Sequence, residues 1–83
     1  MKLELNKKYM KKTFTIIVEN QPGVLYRLVN VFYKRKINIS AVHVDETKDS
    51  SISKVLITAE MSEDMAQKIA KQIYKIIEVI SVK

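Results

Sequence analysis

The chain of 83 residues contains no cysteine, one histidine, one proline and one glycine. Without cysteine it cannot form a disulfide framework, a thiolate zinc site or a thiol nucleophile. A lone histidine excludes a histidine-rich metal centre within one copy of the chain. No apolar run reaches the roughly 20 residues that a membrane span needs, and no signal-peptide core follows the basic N-terminus. We therefore expect a cytoplasmic protein without a membrane partner.

The remaining composition is that of an ordinary globular protein, with 47% apolar and 29% charged residues. The length allows one domain. A domain of this size buries about two-thirds of the surface that its unfolded chain exposes, which leaves little stability in reserve. Association with a second subunit is therefore expected.

The formal net charge of +6 is unevenly distributed. Residues 1–12 contain five lysines and one glutamate, whereas residues 13–83 contain ten basic and eight acidic side chains. We expect residues 1–12 to be a flexible basic extension and residues 13–83 to be the folded domain. Because most of the excess charge falls in the extension, the total says little about partners.

The spacing of apolar residues predicts four strands and two helices. In chain order they are a strand over 13–19, a helix over 24–36, strands over 38–46 and 53–60, a helix that Ser62 caps, and a strand over 79–82. A change of apolar phase between Ile39 and Val42 predicts either a β-bulge or a late start of the strand. The simplest packing of this order is an α+β, ferredoxin-like βαββαβ fold, a four-stranded antiparallel sheet with two helices on one face.

Each helix has an apolar stripe at the spacing of one buried face. The first stripe is predicted to comprise Leu25, Leu28, Val29 and Phe32. The second is predicted to comprise Ala66, Ile69, Ala70, Ile73, Ile76 and Ile77.

The turn Asn20-Gln21-Pro22-Gly23 leads from the first strand into the first helix. Proline suits the first position of a helix, so Pro22 is expected near the helix start. Gly23 has no side chain, so a ligand can approach its backbone closely. Free N–H groups at a helix N-terminus attract anions, carboxylates included. The pattern fits a carboxylate site, and it fits a plain strand-to-helix turn as well.

The sequence supports catalysis and RNA binding less well than it supports this carboxylate site. His43 and Asp45 share one face of a predicted strand, but no nucleophile accompanies them. An RNA-recognition module of the same topology would carry aromatic residues on its third strand, and 53–59 contains none. Phe14, the one aromatic residue of the first strand, falls in the buried phase.

Three stretches resemble a known family: Val18–Leu28, Asn38–Val42 and Gln72–Val79. Together they resemble the ACT domain of the regulatory small subunit of acetolactate synthase, also called acetohydroxyacid synthase. The resemblance covers residues 10–83 in a short, single-domain form. Lys36 stands where glycine is common in this family, and Ser40-Ala41 replaces a more usual Glu-Ser pair.

The resemblance implies a homodimer that binds a branched-chain amino acid, usually valine, at its interface. The backbone N–H groups around Gly23, Val24 and Leu25 would bind the ligand carboxylate, and the partner's Asn38 would hold other polar groups. The ligand-binding residues predicted in this way are Asn20, Gln21, Pro22, Gly23, Val24, Leu25 and Asn38.

The resemblance also implies a non-catalytic subunit. It would bind the catalytic subunit of acetolactate synthase, raise its activity and transmit end-product inhibition. Thiamine diphosphate, FAD and magnesium would belong to that catalytic subunit, and this chain would hold no cofactor or metal. A free-standing ACT-domain sensor for another enzyme is the alternative, and an RNA-binding module is a remote one.

Overall fold

The computed structural model describes residues 9–83, so most of the predicted basic extension lies outside the described residues. The elements are β1 Met10–Glu19, α1 Val24–Lys34, β2 Ile39–Glu46, β3 Ile52–Met61, α2 Glu63–Tyr74 and β4 Val79–Val82. The strands form one antiparallel sheet in the order β2-β3-β1-β4. This confirms the expected ferredoxin-like arrangement.

The two central strands, β1 and β3, pair along their whole length, from Met10 opposite Met61 to Glu19 opposite Ile52. The strand β1 therefore begins three residues earlier than expected. The early start was not predicted because Lys11 and Lys12 are poor strand formers. Pairing of these residues with β3 overrides that preference. The last three residues of the predicted extension thus belong to the sheet.

One face of β1 and β3 packs against both helices to form the core. Phe32 of α1 is fully buried and meets Phe14 of β1 edge to face, with ring centroids 5.7 Å apart. The buried apolar residues are Phe14, Ile16, Val18, Val24, Leu28, Phe32, Val55, Ile57, Ala59, Met61, Ala66, Ile69, Ile73 and Val79.

The edge strand β2 lies largely outside this core. All its residues after Ile39 are exposed, including Val42 and Val44, although these two share the helix side of the sheet with Ile57 and Val55. The predicted bulge is confirmed, since the register shifts between Ile39 and Ala41.

The apolar stripe of α1 is rotated slightly from its predicted position. Val24, Leu28 and Phe32 are buried, whereas Leu25, which the spacing placed in the stripe, is 42% exposed. The helix ends at Lys34, two residues earlier than predicted.

The second helix begins as predicted and ends sooner. The hydroxyl of Ser62 accepts a hydrogen bond from the Met65 N–H at 3.2 Å, which confirms the cap. The helix stops at Tyr74, so Ile76 packs on the core from the following turn. Ile77 was wrongly assigned to the buried stripe, because it lies beyond the helix and is 91% exposed.

Candidate functional site

The turn between β1 and α1 is a tight, hydrogen-bonded structure. The Val24 N–H donates to the Gln21 carbonyl oxygen at 3.3 Å, and Gly23 has φ 84° and ψ −6°. These angles are those of the third residue of a type II turn, which requires a positive φ and therefore favours glycine. Pro22 precedes Gly23 and lies two residues before the first helical residue, near the helix start as predicted.

A backbone bond to the β2–β3 loop holds the start of this turn. The Asn20 N–H donates to the Ser51 carbonyl oxygen at 2.7 Å. The Asn20 side-chain amide also reaches the Ser50 carbonyl oxygen, at 3.5 Å. The turn is thus fixed against the sheet before the helix begins.

Three N–H groups at the start of α1 remain open to a ligand. Within residues 9–83, the N–H groups of Gly23, Leu25 and Tyr26 have no backbone partner. No side chain caps the helix, and its first turn contains no acidic residue. A helix start of this kind offers donors and a positive dipole end to an anion such as a carboxylate.

These donors border an open cleft of about 330 Å³ between the turn and the sheet. Its walls are mostly apolar, since Val18, Val24 and Val55, which are buried, and Leu25 and Val44, which are exposed, all line it. This volume lies at the small end of the range for ligand sites. The cleft therefore combines carboxylate-binding donors with walls that suit a short aliphatic side chain.

Five of the seven predicted ligand residues line this cleft: Asn20, Gln21, Gly23, Val24 and Leu25. Pro22 shapes the turn without lining the cleft. Val44, Ser53 and Tyr26 also line the cleft and were not among the residues predicted from the sequence. The pairing register of β2 and β3 places the first two there, and spacing along the chain does not reveal it.

The seventh predicted residue, Asn38, lies at the opposite end of the sheet. It precedes β2, whose first residue Ile39 pairs with Ala59, which in turn pairs with Lys12 near the start of β1. Asn38 borders a separate cleft there, with Arg35, Lys36 and Met65 among the other lining residues. One copy of the chain therefore does not bring Asn38 to the Gly23 turn.

An ion pair connects the first turns of α1 to the segment before β4. Arg27 Nη2 lies 2.8 Å from Glu78 Oε1. Among the described residues that oxygen has no donor in full hydrogen-bond alignment, although it lies within hydrogen-bond distance of the guanidinium. The Arg27 guanidinium, with the backbone N–H of Glu78, lowers the pKa of the Glu78 carboxyl below its ordinary value of 4.5.

His43 and Asp45 lie outside the cleft beside Gly23. His43 Nε2 lies 3.7 Å from Asp45 Oδ1, on the same face as predicted, and both side chains are exposed. No group of three or more potential metal ligands is found within residues 9–83. No helix within that range is long and apolar enough to cross a membrane. Phe14 is buried against Phe32 and cannot stack on a base.

Comparison with known families identifies the domain. Residues 14–81 match the family described as the AHAS small subunit-like ACT domain. The chain belongs to this family. The expected resemblance is thereby confirmed over nearly the whole of the described chain.

Individual relatives of this ACT domain are named as small subunits of acetolactate synthase. The Archaeoglobus fulgidus protein named "Probable acetolactate synthase small subunit" is 37% identical over 73 residues, which are 88% of this chain and 46% of that protein. The isozyme 3 small subunit of Escherichia coli is 30% identical over 73 residues, 88% of this chain and 45% of that protein. The chain thus spans about half the length of these relatives.

The solved structures that resemble this ACT domain show the same fold. The acetolactate synthase small subunit of Thermotoga maritima has a TM-score of 0.79 and 31% identity, over 89% of this chain and 46% of that one. The ACT domain of the Chlorobium tepidum GTP pyrophosphokinase has a TM-score of 0.76 at 18% identity, which shows likeness of fold alone.

Proposed function

We propose that this ACT domain is the regulatory part of an acetolactate synthase, and that it binds a branched-chain amino acid, valine in the first instance, at a dimer interface. The observation that carries the proposal is the cleft beside Gly23, where open backbone donors meet apolar walls. A carboxylate would bind the N–H groups of Gly23 and Leu25, and the aliphatic side chain would lie against Val24 and Val44.

The exposed edge of strand β2 supports the proposed dimer. It pairs with β3 on one side, and within residues 9–83 no strand pairs with its other edge. Exposed edges invite pairing with another chain. Val42 and Val44 add exposed apolar surface on the helix side of this edge. Pairing of β2 with β2 of a second copy would satisfy both the free backbone groups and the apolar surface.

Such a pairing would complete the amino-acid site. In a two-fold dimer the two β2 strands run antiparallel, so the start of one lies beside the end of the other. The end of β2 borders the Gly23 cleft through Val44, and Asn38 directly precedes the start of β2. The partner's Asn38 would therefore approach the cleft that the chain's own Asn38 cannot reach.

An amino-acid site at a dimer interface would suit a regulatory role. Catalysis, with thiamine diphosphate, FAD and magnesium, would belong to the catalytic subunit, and this chain would supply the amino-acid sensor. Inhibition requires that the amino acid bind the inhibited arrangement of the complex more tightly than the active one. A site formed by two copies meets that need, because a shift between the copies changes the site.

Isothermal titration calorimetry with valine, leucine and isoleucine tests the ligand. Valine at 100 times its dissociation constant should also raise the free energy of unfolding by about 2.7 kcal/mol. Gly23→Asp should abolish both signals, since it places a side chain and a like charge beside the carboxylate. No heat with any of the three amino acids at millimolar concentration would contradict the proposal.

Mixed dimers test whether two copies share the site. Gly23→Asp and Asn38→Ala chains should each fail to bind valine alone. In a mixed dimer one of the two sites combines an intact turn with an intact Asn38, so random mixing should restore about one site in four. If mixing restores nothing although the two variants exchange subunits, Asn38 does not act across the interface.

A further inference from the structure

The charges of the described chain are segregated, although residues 13–83 carry almost balanced totals. Seven of the ten basic residues in that range lie on the helices or within two residues after them: Arg27, Lys34, Arg35, Lys36, Lys68, Lys71 and Lys75. The α1 helix contains no acidic residue. The β2–β3 hairpin, over 39–61, has four acidic and two basic residues. The helical surface is therefore basic and the hairpin acidic.

Four of these seven basic residues line a groove of about 500 Å³ between α1 and α2. Arg27, Lys34 and Arg35 border it from the first helix, and Lys75 borders it from the end of the second. Glu78 neutralises Arg27, which leaves three exposed cations without an opposite charge in a salt bridge among the described residues. Like charges held around one groove repel each other, and a bound anionic partner relieves that repulsion.

The other lining residues indicate what kind of anion fits. Asn30 and Gln72 are half-buried and supply side-chain amides, which both donate and accept hydrogen bonds. Val31 and Ile76 form an aliphatic base that packs on the core. Of the described residues that line this groove, none is aromatic, so it offers no platform for base stacking. Peptide groups and acidic side chains fit this surface better than a nucleic acid does.

We propose that the groove between α1 and α2 is a docking site for an acidic segment of the catalytic subunit. The inference rests on the proposed function for the identity of that subunit. The groove is separate from the amino-acid cleft, since the two share no lining residue. Aspartate or glutamate side chains of the segment would pair with Lys34, Arg35 and Lys75, and apolar side chains would contact Val31 and Ile76.

Binding of the purified chain to the acetolactate synthase catalytic subunit of the same organism tests the site. Lys34→Gln/Lys75→Gln should weaken binding about tenfold at low salt and flatten its salt dependence, because two attractive charges are removed. The matched control, Lys48→Gln/Lys54→Gln, removes two charges from the hairpin and should leave the affinity within about twofold. Valine calorimetry and the unfolding midpoint establish that both variants remain folded.

The other possible results of the binding experiment each contradict one proposal: the function, the docking site or the class of partner. If the unmodified chain does not bind the catalytic subunit, the proposed function fails and the docking site with it. If it binds and the two double variants bind equally well, the docking site alone is wrong. If a single-stranded RNA of 20 nucleotides binds the groove more tightly than the catalytic subunit does, and the groove variant abolishes this, the partner is a nucleic acid.

Discussion

Two residues of the described chain have a positive φ, and they occur where the chain enters and leaves α1. Gly23 at φ 84° suits this conformation, since glycine has no Cβ to clash. Lys36 at φ 58° does not, because the left-handed region costs an ordinary residue roughly 1–2 kcal/mol. Lys36 and Ile37 donate to the carbonyl oxygens of Tyr33 and Phe32, which is the Schellman pattern that usually contains glycine.

Lys36→Gly should therefore stabilise the fold. Relief of the left-handed strain, less the greater freedom of glycine in the unfolded chain, gives a gain of about 0.5–1 kcal/mol. The thermal unfolding midpoint should rise by about 2–8 °C. The matched control is Lys34→Gly, inside the last turn of α1, which should destabilise the fold by about 0.5–1 kcal/mol. If both variants lower the midpoint equally, the Lys36 strain is not relieved by glycine.

At the scale of elements, local patterns predicted what local interactions determine. Ser62 followed by two acidic residues indicated the start of α2, and the phase change after Ile39 indicated the bulge. The start of β1 and the exposure of Ile77 could not be predicted, because they depend on which strand pairs with Met10 and where α2 stops. In the candidate site, the turn could be predicted from its own residues. Ser53 could not, because the pairing register of β3 places it beside the cleft.

The contact between α1 and the segment before β4 should make the domain sensitive to acid. Arg27 keeps the pKa of Glu78 below 4.5, so the ion pair stabilises the fold above that pH. The stabilisation is lost as the pH falls through the lower pKa of the folded state. The Ser51 hydroxyl and N–H likewise lower the pKa of Asp49, so the β2–β3 loop contributes in the same direction.

Glu78→Gln should accordingly reduce the loss of stability in acid. Thermal unfolding between about pH 6 and pH 3 provides the measurement. Stability near pH 6 should be lower in the variant, and the fall towards pH 3 should be shallower. The control is Glu46→Gln on β2, since Glu46 makes no salt bridge among the described residues. An equally shallow fall in that control would assign the effect to net charge.

At the scale of the whole molecule, the core is small, so pairing with the proposed second copy would add appreciably to the free energy of unfolding. Fourteen buried apolar residues form one core, and of the edge strand β2 only Ile39 packs against it. A domain of 83 residues has little stability in reserve. If copies pair through β2, the apparent stability depends on protein concentration, because association stabilises the folded state by mass action. The proposed amino-acid site depends on the same pairing.

Val42→Lys should show whether amino-acid binding depends on pairing of two copies. Val42 lies on the exposed edge and does not line the amino-acid cleft. The charge would face the helix side of the edge, where we propose that the second copy packs, so sedimentation should show a monomer. The monomer should lose valine binding, since it lacks the partner's Asn38. His43→Lys places the same charge on the opposite face of β2 and should remain dimeric. A Val42→Lys monomer that still binds valine would show that one copy forms the whole site.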